Sequence, residues 1–128
     1  MKVRPDEVYK LAGLTSVSLS FQRPVETMKS NLTGTLYLLE ALRFAGDTTK
    51  FHNACSSECF GDTPLEAASG NTPIRPRSPY TVSKAYSFCQ EVYYREADGL
   101  LACSWVLYNH VSPLRTKRFV TKLLWNSK

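Results

Sequence analysis

Tyr80 and Lys84 lie four residues apart, just after Pro79, where a helix can begin. On a helix that spacing puts both side chains on one face. An ammonium beside a phenol favours the phenolate, so the Tyr80 hydroxyl is expected to fall from about 10 toward working pH. A phenol tuned in this way can take a proton from a sugar hydroxyl. Ser56, at the end of an expected strand, is placed to share that proton or to polarise a developing carbonyl. Glu58, two residues further on, offers a second acid–base group.

Those four residues need a scaffold, and the chain supplies one in order. Asp6 to Ala12 reads as a short strand with Val8 and Leu11 as core candidates. Gly13 to Ser16 is small and polar, a loop at a strand's carboxyl end, which is where open α/β sheets hold ligands. Phe21 to Gly46 reads as one long helix, with Pro24 in its first turn and Gly46 as its stop. Met28, Leu32, Leu36, Leu39 and Leu42 recur at spacings of three and four and are expected to be its core stripe. Lys50 to Ser56 is a second strand. The proline-rich loop from Asp62 to Pro79 separates two catalytic candidates and is expected to shape a substrate pocket. Tyr80 to Asp98 is a second helix, with Val82, Ala85, Cys89, Val92 and Tyr93 facing inward and Gly99 as its stop. Leu100 to Tyr108, interrupted only by Ser104, reads as a buried parallel strand, and Phe119 to Trp125 as the start of a last helix. Strand, helix, strand, helix, strand is an α/β pattern, a parallel sheet with right-handed crossovers.

Composition closes off other classes. The chain has 128 residues and a net charge of +5, and the excess lies wholly after Asp98, in Arg115, Lys117, Arg118, Lys122 and Lys128. That basic end lacks the interleaved aromatics of a base-stacking surface and the amphipathic pattern of a membrane helix, so neither nucleic acid nor a membrane is expected as partner. Cys55, Cys59, Cys89 and Cys103 have no zinc-ligand spacing, and His52 and His110 do not complete one, so no metal is expected. With no export signal ahead of them, they read as four reduced thiols in a cytoplasmic protein. The sequon Asn31-Leu32-Thr33 lies inside a predicted helix and is set aside.

Two stretches carry a family resemblance. Asn53-Ala54-Cys55-Ser56-Ser57-Glu58-Cys59-Phe60-Gly61-Asp62 and Pro76-Arg77-Ser78-Pro79-Tyr80, ahead of Lys84, resemble the extended short-chain dehydrogenase/reductases and within them GDP-mannose 4,6-dehydratase. Pro5-Asp6-Glu7-Val8-Tyr9, Gly34-Thr35-Leu36, Tyr94-Arg95-Glu96, Asn109-His110 and Arg118-Phe119-Val120-Thr121 extend the likeness over most of the chain. The resemblance implies residues 1–128 of a single, incomplete NAD(P)-binding Rossmann-like domain, from the middle of such an enzyme. It implies a lyase that converts GDP-mannose to GDP-4-keto-6-deoxymannose, with hydride cycling through NADP.

By that resemblance Ser56, Glu58, Tyr80 and Lys84 are catalytic. Leu11, Ala12, Gly13, Leu14, Thr15, Tyr80, Lys84, His110 and Arg115 contact the cofactor, and Ser57 and Asn109 contact the nucleotide sugar. The sequence departs from the family in lacking the Gly-rich cofactor turn, and in Lys10, Leu14 and Val111 where the family has Asn, Gln and Glu. These departures lead to the expectation of a truncated chain with impaired turnover. Two alternatives stay open: a non-catalytic remnant that associates with a full-length homologue, and another nucleotide-sugar epimerase or dehydratase; the partners expected besides the nucleotide sugar are a second copy of the chain or such a homologue.

Overall fold

A computed structural model describes residues 3–46, 48–63, 67–110, 112 and 114. Three strands, β1 (Glu7–Lys10), β2 (Lys50–Ser56) and β3 (Ala102–Leu107), form one sheet in the order β1-β2-β3. Both pairings are parallel, with Tyr9 beside His52, His52 beside Cys103, and Ser56 beside Leu107. The expected α/β architecture is therefore present. The β2 bounds are those the sequence implied; β1 and β3 are each shorter, and the Phe119–Trp125 helix falls outside the described residues.

The long first helix is built from pieces. α1 (Val17–Gln22) starts under a Ser16 cap, whose hydroxyl accepts from Leu19 N at 3.3 Å. Arg23 breaks it at φ −131°, and Pro24 opens a new helix, α2 (Pro24–Met28), instead of sitting inside an earlier one. A π-helical turn over Lys29–Thr33 then leads into α3 (Gly34–Ala45), which stops at Gly46 with φ 61°. Of the expected leucine stripe only Leu39 is fully buried; Met28, Leu32, Leu36 and Leu42 are half-buried. Besides Leu39, the residues buried completely from α1 to α3 are polar: Ser20, Thr27, Asn31 and Thr35.

The same polar burial governs α4 (Pro79–Asp98). Its buried face carries Tyr80, Ser83, Lys84, Ser87, Glu91 and Tyr94, whereas Val82, Cys89 and Tyr93 are exposed, contrary to expectation. The two segments meet through hydrogen bonds: Asn31 Nδ2 donates to Ser83 Oγ at 3.1 Å, and Ser87 Oγ donates to Asn31 O at 3.1 Å. Small polar side chains let the backbones approach while every bond made offsets desolvation.

Apolar packing joins the same helices, α3 and α4, to the sheet. Leu39, Phe51, Tyr94 and Ala102 form the main core, with Val8, Leu36, Leu42 and Leu100 against it. Leu11, an expected core residue, is instead exposed in the loop after β1. Full burial of Leu39 and Phe51 is worth about 1.5–3 kcal/mol each. On β2 the side chains of Phe51, Asn53 and Cys55 are buried, and His52 between them belongs to the opposite face. There His52 stacks on Tyr9 with ring centres 4.7 Å apart, and Trp105 tilts against it at 5.1 Å.

The start of α4 is fixed by a capping box. Ser78 Oγ accepts from Thr81 N at 3.1 Å, and Thr81 Oγ1 accepts from Ser78 N at 2.9 Å. Pro79 occupies the first helical position, where its missing N–H costs nothing. Replacing Ser78 by Ala is expected to cost about 1 kcal/mol, read as a lower urea midpoint with an unchanged slope. An unaltered midpoint would show that the cap does not hold this helix end.

Candidate active site

Because the strands are parallel, their carboxyl ends share one edge of the sheet, and each delivers a piece of the site. β1 runs into the loop 11–15, β2 ends at Ser56 and turns into the 3-10 segment Ser57–Phe60, and β3 leads to Asn109 and His110. The capped first turn of α4 places Tyr80 there, with Lys84 one turn further along. Both are buried, at 8 % and 4 % exposure.

Lys84 Nζ donates to Ala54 O at 2.7 Å and lies 6.0 Å from the Tyr80 ring centre. The expectation that Lys84 would bring the Tyr80 phenol down toward neutrality does not hold in this state. Burial pushes Tyr80 up, the nearby Ser56 hydroxyl pulls the other way without prevailing, and the Glu58 charge adds to the rise. Burial also holds Lys84 below its ordinary value.

Ser56 is extended (φ −143°, ψ 141°) and nearly buried, and its Oγ accepts from Glu58 N at 3.3 Å. That bond caps the 3-10 turn and points the Glu58 side chain outward, where it is exposed; Ser57 is half-buried. Gly61 closes the turn with φ 66°, and a side chain there would meet Arg75 O at 2.5 Å. Arg75 N donates to Cys59 O at 2.8 Å, so the proline-rich loop is pinned at its base to the turn that bears Glu58.

The loop after β1 is held from two sides. Lys10 Nζ donates to Ala12 O at 3.2 Å, and Asn31 Nδ2 donates to Leu14 O at 3.3 Å. Gly13 has φ 141°, and a Cβ would sit 1.9 Å from Asn31 Oδ1, so only glycine fits. Leu11, Ala12, Gly13 and Thr15 are exposed and Leu14 half-buried. Asn109 and His110 are exposed just beyond Leu107, the register partner of Ser56. Arg115 lies outside the described residues. No group of three or more metal-ligating side chains occurs among the described residues.

Three buried residues escaped the sequence reading. Asn31 bridges the β1 loop to Ser83 from inside the π-helical turn, an irregularity that recurs at functional sites. Its signal was an Asn in a helix interior next to Gly34. Lys10 is 6 % exposed and held down to about 8 by burial, with the Lys84 charge adding to that. Glu91 is 1 % exposed and pushed up to about 7 by burial, although Ser104 and Asn53 both donate to it. Its position, opposite the apolar face expected to point inward, gave no sign of it.

A family model described as GDP-mannose 4,6 dehydratase matches residues 1–127. GDP-mannose 4,6-dehydratase of Vibrio cholerae is 46 % identical over 123 residues, 94 % of this chain and 33 % of that protein. GDP-mannose 4,6 dehydratase 2 of Arabidopsis thaliana is 48 % identical over 124 residues, with the same two coverages. The chain thus spans about a third of the length of these curated relatives. Among solved structures, RMD from Pseudomonas aeruginosa complexed with NADPH superposes with a TM-score of 0.84 at 31 % identity, over 91 % of this chain and 41 % of that one. On the match along almost its whole length, this chain belongs to the GDP-mannose 4,6-dehydratase family.

Proposed function

We propose that the chain carries the proton-transfer groups of a GDP-mannose 4,6-dehydratase, a lyase giving GDP-4-keto-6-deoxymannose with NADP as internal hydride carrier. The observation that carries this reading is the buried Tyr80–Lys84 pair on the first turns of α4, beside Ser56 at the end of β2. The full names of the relatives and the NADPH bound by RMD support it.

The residues present fit the nicotinamide end of such a cofactor. Lys84 spends one N–H on Ala54 O and keeps two for ribose hydroxyls. The loop Leu11–Thr15, exposed except for half-buried Leu14, offers a surface kept free of side-chain bulk at Gly13, with Tyr80 and His110 at the same edge of the sheet; by the family resemblance Arg115 would join this contact set. When bound, NADP would supply a hydride acceptor facing C4 of the sugar and, once reduced, a hydride donor for C6. Tyr80 receives the proton of the 4-hydroxyl, and Ser56 steadies the oxygen as it becomes a ketone. The ketone acidifies C5, and Glu58, exposed at the same edge, removes that proton as water leaves C6. Ser57 and Asn109 hold the nucleotide sugar. A plain epimerase has no elimination step to require Glu58.

A second reading draws on the sheet itself. Parallel sheets are ordinarily covered on both faces. Here Tyr9, at 49 % exposure, and Trp105, at 41 %, leave one face open, and the outer edges of β1 and β3 have no strand partner among the described residues. Association with a full-length homologue or a second copy would cover them. Such an assembly would work in the cytoplasm, where the free thiols stay reduced. Among the described residues no helix is long and apolar enough to cross a membrane.

A thermal melt with NADP and with GDP-mannose, followed by assay of the 4-keto product, separates the readings. Ligand at a hundred times its Kd should stabilise by about 2.7 kcal/mol, a rise of several degrees in the midpoint. A transition that neither ligand moves would sink the enzymatic reading and leave association as the role.

A further inference from the structure

Cys55 and Cys59 bracket Ser56 and Glu58, and the mechanism uses neither of them. Their sulfurs stand 3.8 Å apart, in a chain where all the described cysteines are free thiols. Both are buried, at 4 % and 2 % exposure. Cys55 Sγ also lies 4.0 Å from Lys84 O, and Cys59 Sγ 3.6 Å from Thr81 O, so the pair rests on the turns of α4 that carry Tyr80 and Lys84. A disulfide needs its sulfurs at about 2.05 Å, so oxidation must close the remainder of the 3.8 Å gap.

We propose that Cys55 and Cys59 form an oxidisable dithiol, closed to a disulfide by a peroxide-class oxidant, and that this cross-link turns the Ser56–Glu58 segment off. In the proposed step Cys55, on β2, is the attacking sulfur and Cys59, on the turn that follows, the resolving one. The four-residue turn Ser57–Phe60, which carries Cys59, leaves Glu58 exposed and Ser57 and Phe60 half-buried, while Ala85 and Phe88 pack on the pair from α4. A peroxide molecule is little larger than water and needs only a small opening of that turn.

The step balances. Cys55 thiolate attacks one peroxide oxygen, the O–O bond breaks, and the departing hydroxide takes a proton to leave as water, giving a sulfenic acid. The Cys59 sulfur then attacks the Cys55 sulfur, the S–O bond breaks, and a second water leaves with the Cys59 proton. Two thiols are oxidised by two electrons and one peroxide is reduced. The bond draws Cys59 toward Cys55 and shifts the turn that aims Glu58. Its effect on turnover rests on the dehydratase reading above; its chemistry does not.

The test treats the reduced full chain with hydrogen peroxide, unfolds it in urea with iodoacetamide to block every remaining thiol, digests without reductant and maps the peptides by mass. The expected map has Cys55 linked to Cys59, with Cys89 and Cys103 alkylated, and dithiothreitol returns all four to the alkylated state. In Cys59→Ser, a sulfenic-acid trap should label Cys55 and no link should form. Cys55 and Cys59 both alkylated after treatment that oxidises the exposed Cys89 would overturn the dithiol. Where the reduced chain turns over GDP-mannose, the linked form should lose about 10²-fold, as a misplaced catalytic group does, and regain it with dithiothreitol; equal turnover would overturn the switch. A reduced chain without turnover counts against the dehydratase reading, and the peptide map then decides the dithiol alone.

Discussion

Tyr80→Phe should lower dehydration of GDP-mannose by about 10²–10⁴-fold, the range that general acid–base groups supply, or about 3–5 kcal/mol in the barrier. The substitution removes one hydroxyl from a side chain that is 8 % exposed, and the ring keeps its volume, so the melt should stay within about 1 kcal/mol of the parent. The pH dependence makes the test sharper. Burial holds the Tyr80 phenol above its ordinary value. Lys84, engaged with Ala54 O and 6.0 Å from the ring centre, does not offset that. Below its pKa the phenolate fraction falls tenfold per pH unit, so kcat/KM, which reports the free enzyme, should climb toward alkaline pH. Tyr80→Phe should flatten that climb. Activity that persists in the variant with the same rising profile would assign the base elsewhere, with Glu58 the next group at that edge.

The sequence showed the elements better than their faces. Gly46 and Gly99 marked helix ends because each takes a left-handed φ, 61° and 68°, that other residues resist. β2 was legible at both ends because a polar approach and a Ser-Ser-Glu turn enclose it. Periodicity failed where the buried face is polar. Counting apolar residues put Val82, Cys89 and Tyr93 inside α4, yet that helix turns Tyr80, Lys84, Ser87, Glu91 and Tyr94 inward. A helix that buries a phenol and an ammonium along one line cannot also bury an apolar stripe there. Its partner segment answers with Thr27, Asn31 and Thr35. The candidate catalytic residues were named through their motif, whereas Asn31, Lys10 and Glu91 were missed because nothing in their spacing distinguishes a buried polar group from a solvated one.

Glu91 gives the second large expectation, and it concerns stability. Its carboxylate accepts from Asn53 Nδ2 at 2.6 Å and from Ser104 Oγ at 2.5 Å, with the charges of Arg95 and Lys10 also favouring ionisation. Burial nevertheless outweighs them and pushes Glu91 up from 4.5 to about 7. An acid whose folded pKa is raised binds its proton more tightly when folded, so the stability it contributes is full below about pH 4.5 and is lost as pH rises through about 7. The loss is about 3 kcal/mol at 1.36 kcal/mol per unit, a large part of the usual stability of about 5–15 kcal/mol. Lys10, held down to about 8, acts with the opposite sign: its cost is lifted as pH climbs above 8 toward its ordinary value. These two groups together make the chain least stable between about pH 7 and 8, where most domains are near their best. In Glu91→Gln the amide can accept from Asn53 and donate to Ser104 without a charge to desolvate. Urea melts at pH 5, 7 and 8.5 should therefore show a falling midpoint between the first two for the parent and none for the variant, with the variant the more stable at pH 7. The same fall in both proteins would mean that the buried carboxylate is not its source and that Asn53 and Ser104 suffice to keep Glu91 ionised.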